Sequence, residues 1–383
     1  MLIKRCATLY IEPREDIDLD LSALFSGVGA LGATVRWVAL APHLGQEVGI
    51  DAEELAALGT LGPTLWVERE ACERRFGADP IARLLASGLL IGDDEPGAAA
   101  RERDEALRAA HWHPLAALTH AFTRWEDVAA ETGSRFPTFN ALETAFGAPP
   151  PPAIERSAQG DALALPAAQT GPLDATLLNR YTGRNYDREA QLPLAVLARL
   201  LQRTFGAQRQ LEMGQGALML KKTSPSGGSM HPVEAYVLVQ RVEGVAPGMY
   251  HYHCLNHTLE PIERVDAERA YALAFDMVAD QEWFASAPVQ IVLAARVERN
   301  FWKYRNHAKA YRALQLDAGH LSQTFYLLAT EAGLPAFITA AINEIQAERA
   351  FGLDPLKDAV IAICGCGRAA EAAPNVEFRY RAA

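Results

Sequence analysis

Between Lys309 and Ala332 the chain places Ala310, Leu314, Ala318, Leu321, Phe325, Leu328 and Ala332 at steps of four and three, which is one apolar stripe along a single helix. Gly333 and Pro335 stop it. A helix striped over its whole length needs other elements to cover it, and the second half of the chain supplies them. Helical patterns at 193–203 and 267–279 alternate with β-rich runs at 235–240, 248–253, 288–295 and 359–364. The expectation is an α+β fold: a sheet flanked by helices, with one long, largely buried helix at its centre.

The first half reads differently. Around 147–172, with Pro149 to Pro152 in a row and many Ala and Gln residues, no helical or strand period survives, so this stretch is expected to be a linker. It separates a domain at 1–146 from one at 173–383. In the first, Val35 to Leu40 has strand character. Asp51, with Glu54 three residues on, is a capping box opening a helix. A second helix is expected from Asp79-Pro80 to about Gly88, followed by the apolar Leu89-Leu90-Ile91. Short helices followed by a strand suggest a winged-helix-like module. Leu115, Leu118 and Phe122, at helical spacing, assign the aromatic stretch after His111-Trp112-His113 to packing.

A chain of 383 residues can bury two cores. Its 36 basic and 47 acidic residues give a net charge of -11, which disfavours nucleic acid and anionic membrane as partners. No apolar run reaches bilayer length and no signal peptide is evident, and five mostly isolated cysteines suit a reducing compartment. The expected location is the cytoplasm.

Several residues could carry chemistry. Pro225-Ser226-Gly227-Gly228 offers small side chains and free amides that can lie against a planar ring and bond its edge. Arg180, Thr182 and Arg184 alternate two cations with a hydroxyl, a donor set suited to a phosphate dianion, although spacing alone leaves them as ordinary solvated side chains. Arg368 follows a β-run and a Gly-x-Gly that could bring backbone close to a ligand. Asp317 and His320, three apart on the long helix, read as a local hydrogen-bonded pair. His251, His253, Cys254 and His257 fit a hairpin better than a zinc site, since no second ligand pair follows, and no metal is expected.

Taken in order, Arg180-x-Thr182-x-Arg184, Pro225-Ser-Gly-Gly-x-x-His231-Pro-x-Glu234-x-Tyr236, Met249-Tyr-His-Tyr252, Lys303-Tyr304, Asp317-Ala-Gly-His320 and Gly365-Cys-Gly-Arg368 resemble the nitroreductase-like FMN flavoproteins. Within them the chain is similar to the SagB-type branch, which oxidises azolines in ribosomally made peptides. Thr182 departs mildly from the serine usual there, and Pro335 removes an amide donor where glycine is more usual. The resemblance implies FMN as cofactor, with its phosphate on Arg180, Thr182, Arg184 and Arg368 and its ring bordered by Ser226, Gly227 and Gly228. It implies an intertwined homodimer with flavins at the subunit interface. Lys303 and Tyr304 would be the catalytic pair, removing a proton while a hydride passes to the flavin. It further implies a precursor peptide as substrate, with a cyclodehydratase as a candidate partner. In that family the N-terminal module is thought to hold a leader peptide; a role in packing alone is the other reading. Alternatives of activity are α,β-desaturation or reduction of a peptide residue, an NAD(P)H-dependent nitro or quinone reductase, and a non-catalytic scaffold.

Overall fold

The computed structural model describes residues 1–19, 31–130, 133, 135, 136, 138–153, 163–214, 216 and 218–380. They divide into two compact units. One comprises Met1–Arg124, Ala295–Gln315 and Leu353–Ala359; the other comprises Trp125–Ala294, Leu316–Gly352 and Val360–Ala383. This division differs from the expected 1–146 module in two respects. Residues 125–146 belong with the second unit, and two later stretches belong with the first. Of the expected linker, residues 154–162 lie outside the described residues.

In the first unit, Val67–Glu68, Leu2–Arg5 and Leu90–Gly92 form an antiparallel sheet in that order. Helices Ala52–Thr60, Arg69–Phe76 and Ala78–Ala86 accompany it. One apolar cluster joins them, including Ile3, Leu58, Ile81, Leu84, Leu89 and Ile91, each at most 2 % exposed. The expected capping box is present: the Asp51 carboxylate accepts from the Glu53 and Glu54 amides, and Glu54 accepts from the Asp51 amide at 2.8 Å. Such a cap is worth about 1 kcal/mol. The second helix starts at Ala78 rather than Asp79, because Gly77, at φ +94°, turns the chain directly between two helices. A second antiparallel sheet runs Tyr10–Leu19, Leu31–Leu40, Glu47–Ile50.

The helix Pro114–Phe122 buries Ala116, Ala117, His120 and Ala121 and leaves Leu115 65 % exposed, so its inward side is not the leucine stripe expected. The buried His120 on this side meets Trp112. Its indole stacks on His120 at 5.3 Å, meets Phe301 edge-on at 5.0 Å, and donates to the Leu356 carbonyl at 2.9 Å.

The second unit is built on a six-stranded sheet. Its order is Thr258–Arg264, Gly248–His253, Val233–Val239, Val289–Arg296, Asp358–Cys366, Ala336–Thr339. Val289 to Ala295 are buried without alternation, as befits a strand covered on both faces. The long helix is Ala310–Glu331, 22 residues. Leu314, Ala318, Leu321 and Phe325 are buried as the stripe requires, but Leu316, Gly319, His320 and Gln323 are exposed, so it is amphipathic rather than buried all round. No helix among the described residues is long and apolar enough to cross a membrane.

Candidate functional site

Residues 180–186 run extended along the sheet edge. Thr182 bridges Ala336, and the Gly183 amide donates to the Ala336 carbonyl at 2.8 Å. Only glycine fits at 183, where a Cβ would lie 2.5 Å from that of Pro335. The segment is tied to the long helix at Tyr326, whose hydroxyl lies 3.0 Å from Thr182 Oγ1 and accepts from the Ile338 amide at 3.2 Å. The Arg180 guanidinium stands 5.4 Å from the centre of the same ring. Burial raises the Tyr326 phenol above its ordinary range, so it stays a neutral hydrogen-bonding hub.

Arg368 joins this group through the backbone. Tyr186 bridges Ala369, and the Asp187 amide donates to the Arg368 carbonyl at 2.9 Å. The Arg368 side chain is 72 % exposed, with Nε 3.9 Å from Asp187. Gly365 and Gly367 serve packing rather than approach to a ligand: a Cβ on Gly367 would stand 2.3 Å from the Pro288 ring, and one on Gly365 2.5 Å from the Phe337 ring. Arg180, Thr182 and Arg184 thus lie on one extended segment that isolated bridges and backbone bonds link to Ala336 and to the stretch carrying Arg368, three guanidinium groups and a hydroxyl suited to a phosphate dianion.

The Ser226-Gly227-Gly228 turn is held elsewhere. Asp317 accepts from Ser226 Oγ at 2.5 Å and from the Gly227 amide at 3.1 Å, while Ser226 Oγ accepts from the His231 amide at 2.8 Å. The Asp317 carboxyl is raised above its usual range by burial, against the lowering effect of these two bonds. Asp317 is therefore the keeper of the turn rather than the partner of His320 that its spacing suggested. Gly228, at φ +61°, takes the left-handed conformation that favours glycine.

Asp317 and Tyr326 are nine residues apart, two and a half helical turns, so they project from opposite sides of the helix and stand about 13.5 Å apart along it. The segment bearing Thr182 and the turn bearing Ser226 are thus tied to different sides of the same helix.

Lys303 and Tyr304 belong to the first unit. Lys303 ends the helix Val297–Lys303 and Tyr304 caps it, with Lys303 Nζ 5.7 Å from the centre of the Tyr304 ring. The cap is fixed on both sides. The Tyr304 amide donates to the Asn300 carbonyl at 3.2 Å, and its carbonyl accepts from His307 at 3.1 Å. Phe301 and Tyr311, which bracket the segment, both pack on Trp112. Tyr311 lies 3.3 Å from Nδ1 of His120, whose imidazole burial drives down to about 3 and so keeps neutral.

The histidine-rich hairpin has its own arrangement. His251 Nε2 lies 2.9 Å from Glu234 and its Nδ1 3.1 Å from Glu260, while Tyr252 pairs with His257 at 2.8 Å. No cluster of metal-ligating side chains occurs among the described residues. The Glu234 bond, with help from Glu260 and against burial, raises His251 above its ordinary value. A raised folded value means stabilisation fully present below the unfolded value of about 6.5 and lost as pH rises through the folded one. The thermal midpoint should fall as pH rises above about 6.5, and His251→Asn should flatten that fall. Equal pH dependence in variant and parent would remove His251 from the account.

Sequence reasoning did not single out Tyr326 and misjudged the partner of Asp317. A carboxylate beside the apolar stripe was the one available signal for the latter.

Comparison with known proteins adds the following. Residues 177–368 match the model of the nitroreductase family. MJ1384 of Methanocaldococcus jannaschii, whose name assigns it to the nitroreductases, is 31% identical over 184 residues, 48% of this chain and 86% of its own. The trifolitoxin-processing protein TfxB of Rhizobium leguminosarum bv. trifolii is 29% identical over 166 residues, 43% of this chain and 44% of its own, so this chain spans less than half the length of that relative. Among solved structures, a chain of the E. coli microcin synthetase McbBCD complex with truncated pro-MccB17 bound aligns with 73% of this chain and 95% of its own, at 18% identity and a TM-score of 0.48.

Proposed function

Because the chain belongs to the nitroreductase family, we propose that it is an FMN-dependent dehydrogenase in the maturation of a ribosomally synthesised peptide, oxidising a thiazoline or oxazoline to the thiazole or oxazole. The observation that carries the cofactor assignment is the donor set on the bridged segments at 180–186 and 368–369. Arg180, Thr182, Arg184 and Arg368 hold the phosphate, and the amides and small side chains of Ser226, Gly227 and Gly228 border the ring. FMN, when bound, supplies a two-electron acceptor for hydride. Lys303 removes the proton from the other ring atom of the azoline and Tyr304 stabilises or relays it, so that loss of one hydride and one proton leaves an aromatic ring.

The anchors of the turn and of the Thr182 segment, Asp317 and Tyr326, lie on opposite sides of the helix, which supports a homodimer whose sites each take the phosphate residues of one copy and the turn of the other. The peptide assignment is supported by the trifolitoxin-processing relative. A cyclodehydratase, the class of enzyme that forms azolines, is the partner this chemistry needs upstream.

A second reading, an NAD(P)H-dependent nitro or quinone reductase, is favoured by MJ1384, which the alignment covers over most of its length. One experiment separates the two. The purified protein should be yellow, release FMN on denaturation, and convert an azoline-bearing peptide with loss of two hydrogens. Rapid bleaching by NADPH without peptide, and no peptide conversion, would move the assignment to the reductase. Colourless protein unable to take up FMN would remove both.

A further inference from the structure

The last described residues fold back on the segment that carries Arg180, Thr182 and Arg184. The Ala370 amide donates to the Asn185 carbonyl at 3.0 Å. Asn375 and Asn185 bond reciprocally: the Asn375 amide donates to Asn185 Oδ1 at 2.9 Å, and Asn185 Nδ2 donates to the Asn375 carbonyl at 2.9 Å. Asn375 Nδ2 also donates to the Arg184 carbonyl at 2.9 Å. One oxygen of Glu377 accepts from two successive amides, Arg184 at 2.7 Å and Asn185 at 3.1 Å. Arg379 pairs with Glu377 and lies 4.1 Å over the Tyr181 ring.

The burial pattern of this tail is inverted with respect to ordinary packing. Glu377 has only 5 % of its side chain exposed, whereas Val376 and Phe378 are 85 % and 93 % exposed and Tyr380 56 %. Asn375 and Glu377 turn inward, Arg379 lies over Tyr181, and the apolar side chains turn outward, as alternation along an extended chain allows. Hydrogen bonds to 184–185, rather than buried apolar area, therefore fix the tail.

The segment it grips is held from two sides. Arg180 and Thr182 engage Tyr326, while Tyr181 and Asn185, of opposite parity, engage the tail. A buried carboxylate beside an anion site would ordinarily repel the anion. Here Arg379 neutralises it, and the Arg184 and Asn185 bonds, with the ion pair, hold Glu377 below its usual range although burial alone would raise it.

We propose that residues 375–379 are a C-terminal clasp that orders the segment from Arg180 to Asn185 before the mononucleotide arrives, with Glu377 as its positioning residue. The inference rests on the FMN reading given above. A segment already in its bound conformation does not lose that freedom on binding, so the clasp raises cofactor affinity without touching the cofactor.

The test titrates FMN into the flavin-free full-length protein, following flavin fluorescence, for the parent, Glu377→Ala, Glu377→Gln and Asn375→Ala. The thermal midpoint of each flavin-free protein is measured alongside. Glu377→Ala should weaken FMN binding roughly 10- to 100-fold, the fold-change of one or two lost charge-assisted bonds. Glu377→Gln keeps an oxygen that both amides can reach and should recover most of the affinity. Asn375→Ala, which leaves Glu377 in place, should shift affinity the same way by less, and it answers the question should Glu377→Ala not fold. Midpoints should move little, since the tail buries little apolar surface. A parent that binds FMN while Glu377→Ala and Asn375→Ala bind it equally well overturns the clasp alone. A glutamine variant as weak as alanine overturns the role of acceptor geometry, and a parent that takes up no FMN overturns the flavin reading with it.

Discussion

Lys303→Ala is expected to slow oxidation of an azoline peptide by about 100- to 10,000-fold, the range for a lost general acid or base, while FMN remains bound. The separation follows from placement. Lys303 lies in the unit formed by residues 1–124, 295–315 and 353–359, whereas Arg180, Thr182, Arg184, Arg368 and the Ser226 turn all lie in the other. The substitution also leaves its helix intact, because Lys303 is the final residue and exposed, and the cap is made by backbone bonds of Tyr304. Tyr304→Phe keeps the aromatic ring beside the ammonium and removes only the hydroxyl, so its deficit measures proton relay. The readouts are turnover with the precursor peptide and FMN released per chain. Full activity in Lys303→Ala, or loss of flavin from it, would end the catalytic assignment.

Arg180→Ala combined with Arg368→Ala should weaken FMN binding by about 3–6 kcal/mol, two contacts of about 1.5–3 kcal/mol each. That is at least about 100-fold in dissociation constant. The two arginines should not contribute alike. Arg180 is held over the Tyr326 ring, whereas Arg368 is largely exposed, with only a 3.9 Å approach to Asp187. Arg180 is thus the more ordered before binding, and its single substitution should account for more of the loss. Fluorescence titration of both single variants and the double variant checks this. A double variant binding FMN as tightly as the parent would show that the phosphate lies elsewhere.

What the sequence disclosed follows from how local each feature is. The long helix was legible because its stripe is a local period, and the Asp51 cap because both partners fall within one turn. The helix at 114–122 was misjudged because leucine normally marks the buried side. There the buried side carries Ala116, Ala117, Ala121 and His120, the last stacked on Trp112, which no spacing rule reveals. Ser226 was chosen for its motif, but its anchor lies 91 positions away at Asp317, and Glu377 lies 193 positions from Arg184. Such pairings depend on topology, which residue patterns in one chain do not encode. The same is true of the unit boundaries, since 295–315 joins the first unit through Phe301 and Tyr311 on Trp112 rather than through any compositional shift.

The discontinuous first unit bears on how such a chain can be recombined. A cut near Pro172 looks natural in a linear map. Yet Trp112 is the wall against which Phe301 and Tyr311 rest, and the Asn306 amide bonds the His111 carbonyl. Grafting a foreign N-terminal half onto residues 173–383 would transplant a floor without its matching wall. The segment bearing Lys303 and Tyr304 would lose its register even with every one of its own residues retained. Chimeras that exchange residues 1–124, 295–315 and 353–359 as one block respect the seam the fold itself draws, and Lys303 and Tyr304 then travel with the wall that holds their segment.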